Sequence, residues 1–341
     1  MSAKVVSFVC LNSQLAKDQT KVVMDRLQDA NPRLACRLQV VPSPVPEEAL
    51  EDEPFLAASA AEVEYLEDQL LAGEFRLAVV RALDLVLPLR EGLAYAAIPH
   101  RDTPYDAFLT RQNVIIDDMP DGSVIGVMNL RSRLQMQALW PNLEFQQLRG
   151  GMQAALEALL RRCELNGLVA PAAVAEHLGL QGIVAEIFNP ELILPSGGQG
   201  IMVVLGRADD QEVRDLLAPL HDEATLREME AEHAFVSRFA SDMELPLGVL
   251  ARCDGDRLTI TGTAGPPRHT EAELQQREGP ADQAAVLGGE LAERILQSRE
   301  TLIGLLEADL ADDMPEDEED EAEPDPDLAV LKEFPELDDD L

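Results

Sequence analysis

One feature constrains this chain more than any other: short β-branched runs alternate with helical segments over most of its length. Lys4–Cys10 reads as a strand, and Ser13 stands where a helix N-cap belongs, ahead of a helix to about Ala30. Leu34–Val41 is a second strand. Residues 42–54, rich in Pro, Glu and Asp, read as a loop. Ser59–Ala72 is helical and Phe75–Val80 a strand with Asp84 just past its end. The rhythm continues with a strand at Ser123–Met128, a helix at Arg131–Trp140, a strand at Glu144–Leu148 and a helix at Gly151–Asn166. Such βα alternation predicts parallel or mixed sheets covered by helices on both faces. After a buried strand at Ile201–Leu205 and a helix from Asp209, a closing unit follows. It consists of a long helix over Asp222–Phe239, strands at Gly248–Cys253 and Arg257–Gly262, and a helix from Ala281 to Glu307. Its composition is that of a separate α+β domain.

Charge excludes several classes of partner. The net charge is −37, and residues 307–341 carry eighteen acids against one lysine. The body is acidic as well, so the clustered cations that bind nucleic acid or an anionic membrane are missing. Residues 308–341 predict a disordered acidic tail, in which Leu328, Leu331, Phe334, Leu337 and Leu341 recur among acids. The competing readings of 309–341 are a solubilising tail and a docking motif for a protein partner. No apolar run reaches membrane length, and no metal-ligand spacing occurs. Cys10, Cys36, Cys163 and Cys253 show no paired spacing and read as reduced, which predicts a cytoplasmic protein.

Six stretches carry a resemblance. Ala78–Asp84 resembles Ala-Val-His-Ser-x-Lys-Asp, and Ile98–Phe108 resembles a linker reading Arg-Glu-Asp-Pro-Arg-Asp-Ala. Gly126–Ser132 resembles Gly-Thr-Ser-Ser-Leu-Arg-Arg, and Leu148–Gly151 resembles Leu-Arg-Gly-Asn. Leu194–Gly200 resembles Leu-Pro-Ala-x-Gly-Gln-Gly, and Glu232–Gly248 resembles Glu-Arg-Ala-Phe followed by Gly-Gly-Cys-x-x-Pro-x-Gly. These occur in the order and at the spacing of the porphobilinogen deaminase (hydroxymethylbilane synthase) family, which the chain resembles from about residue 11 to 248. The resemblance implies two α/β domains like those of periplasmic binding proteins, residues 1–98 with 199–219 and residues 103–195. A small α+β domain at 222–307 and the tail complete the chain. It also implies a dipyrromethane cofactor held by a cysteine thioether, onto which four porphobilinogens are added.

By that resemblance Asp84 matches the catalytic carboxylate, while Ser13, Arg131, Arg149 and Gly150 match ligand-binding positions. Gln19 also matches the first helix. The departures are many. Leu11, Leu83, Ser132, Ala155 and His177 stand where the family has cations, Val80 and Arg81 replace a His-Ser pair, and Met243 stands at the cysteine. A polycarboxylate chain needs arginine forks, and a thioether anchor needs a thiolate. The expectation is therefore a catalytically degenerate, non-catalytic binding or regulatory module without cofactor, its residual cleft taking a small anion or a pyrrole. The alternatives are an active hydroxymethylbilane synthase and a scaffold acting through its tail.

Overall fold

The computed structural model describes residues 4–45, 55–239, 246–264 and 274–312. Met243, most of the acidic loop and the tail beyond 312 lie outside the described residues.

The chain opens with β1 (Lys4–Leu11), α1 (Gln14–Ala30), β2 (Leu34–Val41), α2 (Phe55–Leu71), β3 (Leu77–Arg81) and β4 (Leu93–Ala97). It then crosses to β5 (Asp106–Leu109), β6 (Val124–Val127), α3 (Leu130–Leu139), β7 (Glu144–Gln147), α4 (Met152–Glu157), β8 (Gly167–Pro171), α5 (Ala172–His177) and β9 (Val184–Ile187). The chain returns through β10 (Met202–Arg207) and α6 (Gln211–Leu217). It closes with α7 (Glu223–Ser237), β11 (Leu247–Asp254), β12 (Arg257–Ala264), β13 (Gln275–Pro280) and α8 (Ala284–Asp312).

Two mixed five-stranded sheets result, ordered β2-β1-β3-β10-β4 and β7-β6-β8-β5-β9. β1 runs parallel to β2 and β3, and the returning β10 runs antiparallel to β3 and β4. In the second sheet β6 is parallel to β7 and β8, and β5 is the antiparallel strand. Alternate side chains of a strand face opposite layers. Phe8, Leu77 and Val204 accordingly pack on Val23, Leu27 and Leu217 of α1 and α6, while Val9, Val80 and Leu205 pack on Val63, Leu66 and Leu70 of α2. Each fully buried Leu or Phe contributes roughly 1.5–3 kcal/mol.

In the third domain α7 and α8 cross on the sheet β11-β12-β13, with Phe235, Val249, Ile260 and Leu291 at its centre. The helices touch at Gly288, where an added Cβ would stand 2.0 Å from the Ala231 carbonyl oxygen. Backbone cannot yield as a side-chain tip does. Gly288→Ala should therefore destabilise this domain by about 1–3 kcal/mol, read as a fall in its thermal midpoint.

Two predicted features differ. The helix expected over Gly151–Asn166 is α4 followed by a π-helical turn at 158–162, and Cys163, at φ 55°, ends it. The last helix runs on to Asp312 rather than stopping at Glu307.

Candidate functional site: the crevice at the strand ends

In an open α/β sheet, ligands bind outside the carboxyl ends of the parallel strands. Ser13 follows β1, Asp84 follows β3, Asn129 and Arg131 follow β6, and Arg149 and Gly150 follow β7. The segments joining the two sheets, residues 98–105 and 188–201, are the hinge between these strand ends.

Asp84 ends a single 3-10 turn, residues 82–84. Arg81 grips it with a two-point ion pair, Nε to Oδ2 at 2.5 Å and Nη2 to Oδ1 at 2.7 Å. The cation gained at position 81 is thus committed to the carboxylate three residues on. Glu62 of α2 lies within the field of the same pair. Burial pushes its carboxyl pKa up, a hydrogen bond from the Ser43 hydroxyl at 2.8 Å and the Arg81 charge oppose this, and Asp84 adds to the rise. His233 of α7 braces the turn from behind, its Nε2 3.0 Å from the Ala82 carbonyl oxygen. Burial, with Arg101 adding and the Ala82 carbonyl opposing, pushes its pKa down to about 4, so the ring is neutral and Nε2–H is the donor.

Ser13 caps α1, its Oγ accepting from the Ala16 N–H at 3.1 Å. Gln19 is buried on the same helix. Arg149 is exposed. It lines a groove of about 670 Å³ with Arg133, Glu144, Gln146 and Gln147. Gly150 (φ +74°) and Gly151 (φ +25°) turn the chain there into α4.

Arg131, in the first turn of α3, faces inward. It is 4% exposed, and each of its nitrogens meets protein: Nε to Ser196 Oγ at 3.1 Å, Nη1 to the Leu194 carbonyl at 2.5 Å, Nη2 to Asp106 at 2.6 Å and to Ser132 Oγ at 2.9 Å. Gln199 completes this cluster by donating to Asp106 Oδ1 and the Pro104 carbonyl, both at 2.8 Å. The guanidinium ties the 188–201 hinge segment to the second domain, and Gln199 links that segment to Pro104 of the other.

The substituted positions are built into packing. Leu11 joins the apolar layer under α2, and Ala155 the core of the second domain. His177 is buried, with Nε2 3.1 Å from Asp102 Oδ2, and Arg26 of α1 holds the other oxygen of Asp102. That joint binds the first domain, the hinge and the second domain together. All four cysteines carry free thiols. Cys10 is fully buried in β1, and burial raises the thiol pKa of Cys10, Cys36 and Cys253. Among the described residues no cluster of His, Cys, Asp and Glu could hold a metal ion, and no helix is long and apolar enough to cross a membrane.

Sequence reasoning missed Glu62 and the Arg101–Glu228–Glu232 network that fastens the hinge to the third domain. Arg101 Nη1 lies 2.7 Å from Glu232 and 3.1 Å from Glu228. Glu232 also accepts from the N–H groups of Gly198 at 2.6 Å and Ala251 at 2.8 Å. Two separate stretches of the resemblance contain Arg101 and Glu232, but their pairing spans 131 residues and no local signal announces it.

Comparison with known proteins bears on these substitutions. Residues 8–215 match the family described as porphobilinogen deaminase, dipyromethane cofactor binding domain. A porphobilinogen deaminase from Roseiflexus sp. (strain RS-1) is 35% identical over 286 residues, 83% of this chain and 93% of that protein. One from Syntrophus aciditrophicus (strain SB) is 34% identical over 286 residues, 83% and 92% of the two chains. Among solved structures, the methionine binding protein MetQ shares 15% identity at a TM-score of 0.37 over 63% of this chain and 89% of that one. The periplasmic aliphatic sulphonate binding protein SsuA from Escherichia coli shares 13% at 0.35, over 70% and 71%.

Two expectations are thereby corrected. The non-catalytic module gives way, because relatives matching across the whole domain set are porphobilinogen deaminases by name. The absence of a cofactor gives way too, because the matched domain is by description the one that binds dipyrromethane. The first expectation counted lost cations and the second the methionine at position 243, whereas the family match runs over residues 8–215. The chain belongs to the porphobilinogen deaminase family.

Proposed function

We propose that this chain is an active hydroxymethylbilane synthase: it takes porphobilinogen, releases ammonia at each addition and builds a linear tetrapyrrole. The observation that carries the reading is Asp84, a buried carboxylate at the end of β3, in a chain that matches named deaminases over more than four-fifths of its length. In each addition the aminomethyl C–N bond breaks and ammonia leaves with the electron pair. The methylene carbon bonds to a pyrrole α-carbon, whose proton then departs. Positive charge develops on the ring as ammonia leaves. A fixed carboxylate facing the pyrrole N–H groups stabilises that charge and can take up the proton. Arg81 keeps Asp84 fixed, at 2.5 and 2.7 Å.

By chemistry the residues at the strand ends would suit the rings and side chains of a dipyrromethane, one carboxylate for pyrrole N–H groups and Arg149, the Ser13 hydroxyl and the Gly150 backbone for acetate and propionate, while Met243 supplies no thiolate for a thioether. When bound, the group supplies the growing end to which units are added. Free thiols support a reducing, cytoplasmic setting.

Replacing Asp84 with Asn removes the charge and keeps the shape. Porphobilinogen consumption, followed by ammonia release, should fall by roughly 10²–10⁴-fold with the circular dichroism spectrum unchanged. Equal turnover in both proteins would contradict the assignment.

A further inference from the structure

We propose that Arg131 is a positioning residue of the reaction, setting the Asp84 carboxylate through residues 194–201 of the hinge. The proposal rests on the reading of Asp84 given above. Its base lies in the second domain, where Asp106, at the start of β5, holds Arg131 Nη2 at 2.6 Å and both side chains are buried. From there the guanidinium reaches the hinge, with Nη1 2.5 Å from the Leu194 carbonyl oxygen and Nε 3.1 Å from Ser196 Oγ. Ser196 opens a four-residue turn, closed by the Gln199 N–H on the Ser196 carbonyl at 3.1 Å. Gly198 occupies its third position at φ +78°, which side-chain-bearing residues rarely adopt.

This turn lies on the turn that carries Asp84, backbone against backbone. A Cβ built on Gly198 would stand 2.8 Å from the Leu83 nitrogen and 3.1 Å from the Ala82 carbonyl carbon. Two hydrogen bonds lock the contact. The Ile201 N–H donates to the Gly198 carbonyl at 3.1 Å, and the Ala82 N–H donates to the Ile201 carbonyl at 2.9 Å. On the other side a Cβ on Gly197 would meet Val236 and Val249 of the third domain at 2.8 and 3.0 Å, and Glu232 accepts from the Gly198 N–H at 2.6 Å.

The hinge turn is thus wedged between the third domain and the turn at residues 82–84, and Arg131 sets where its entry sits. Packed backbone transmits a shift that a side-chain tip would absorb, so a displacement at Ser196 arrives at residues 82–84. A misplacement of about 1 Å at a reacting centre can cost roughly 10²-fold in rate. The position of the second domain is thereby communicated to the carboxylate of the first.

Hydrogen exchange of the full chain, followed by mass spectrometry over residues 80–86, tests this without substrate. Ser196→Ala removes one bond to the guanidinium and should speed exchange there about fivefold, the equivalent of one hydrogen bond, with β12 unchanged. Arg131→Gln should speed it further, and Arg131→Lys, which keeps a cation for Asp106, should recover part of the protection. In turnover, Arg131→Gln should lower kcat about tenfold with KM nearly unchanged, because the lost group acts on Asp84 rather than on substrate. Exchange at residues 80–86 equal to the parent's in Ser196→Ala would overturn the proposal, and that variant carries the test should Arg131→Gln not fold. A raised KM with unchanged kcat in Arg131→Gln would also overturn it, since the guanidinium would then hold substrate directly. Absence of turnover in the parent protein refutes the enzyme reading alone, since the exchange measurement needs no substrate.

Discussion

Arg101→Met is expected to destabilise the folded chain by about 3–5 kcal/mol, a large fraction of the roughly 5–15 kcal/mol that holds a typical domain. Arg101 and Glu232 are both essentially inaccessible, with side-chain exposures of 3% and 0%. Deleting the cation leaves Glu232 without its counter-ion in a fully buried place, while Glu228 keeps Arg252 at 3.9 Å. A lone buried carboxylate costs more than the pair ever contributed. Geometry also decides what a double variant can recover. Glu232 serves the N–H groups of Gly198 and Ala251 as well as Arg101, and Glu228 serves Cys253 N–H at 3.0 Å. Arg101→Met with Glu232→Met should therefore be less damaging than Arg101→Met alone, yet still clearly less stable than the parent, because two backbone donors lose their acceptor. Urea unfolding of the three variants reads both differences. A cost below about 1 kcal/mol for Arg101→Met would mean that the hinge is not fastened to the third domain through this cluster.

The second large effect belongs to His233. Its folded pKa, about 4, lies below the ordinary value of 6.5. Between those values the unfolded chain takes up the proton and the folded chain does not. Stability from this group is thus complete above about pH 6.5 and is lost as pH falls toward 4, to the extent of roughly 3 kcal/mol. The many carboxylates of this chain also titrate near the lower end of that window, so the informative quantity is a difference. His233→Asn retains an N–H donor for the Ala82 carbonyl and cannot titrate. Its stability should fall less than the parent's from pH 6.5 to 4, and parallel curves for the two proteins would show that the histidine is not held neutral.

His233, on the third domain, and Arg101, on the hinge and paired with Glu228 and Glu232 of that domain, tie the crevice to the third domain. One braces the turn that carries Asp84, and the other braces the hinge below the crevice. The site thus depends on elements more than 100 residues away in sequence, which explains much of what reading the sequence did and did not reveal. The strands β1, β3 and β6 stood out as β-branched or apolar runs, and each points at a candidate site residue; β7, Glu-Phe-Gln-Gln, carries no such pattern. β4, β5, β8 and β9 are short and rich in alanine or interrupted by polar residues, and the edge strand β13, Gln-Gln-Arg-Glu-Gly-Pro, has no apolar pattern. Only their pairing in the sheets makes them strands. Arg131 shows the limit for a single side chain. Its identity and its place at a helix start were legible, but the direction of its guanidinium is set by Asp106, Leu194 and Ser196, and these converge only when the hinge forms. His177 is similar, since its partner Asp102 lies on the hinge and is shared with Arg26 of α1. The substitutions at Leu11 and Ala155 became intelligible only as members of apolar layers. Counting them as lost ligand contacts overstated the damage to the site.

The most direct measurement of the central claim is the fate of porphobilinogen mixed with the purified, folded chain. The monopyrrole should disappear over many turnovers, one ammonia should appear for each molecule consumed, and the product should be a linear tetrapyrrole identified by mass. A folded protein that leaves porphobilinogen and ammonia unchanged would contradict that claim.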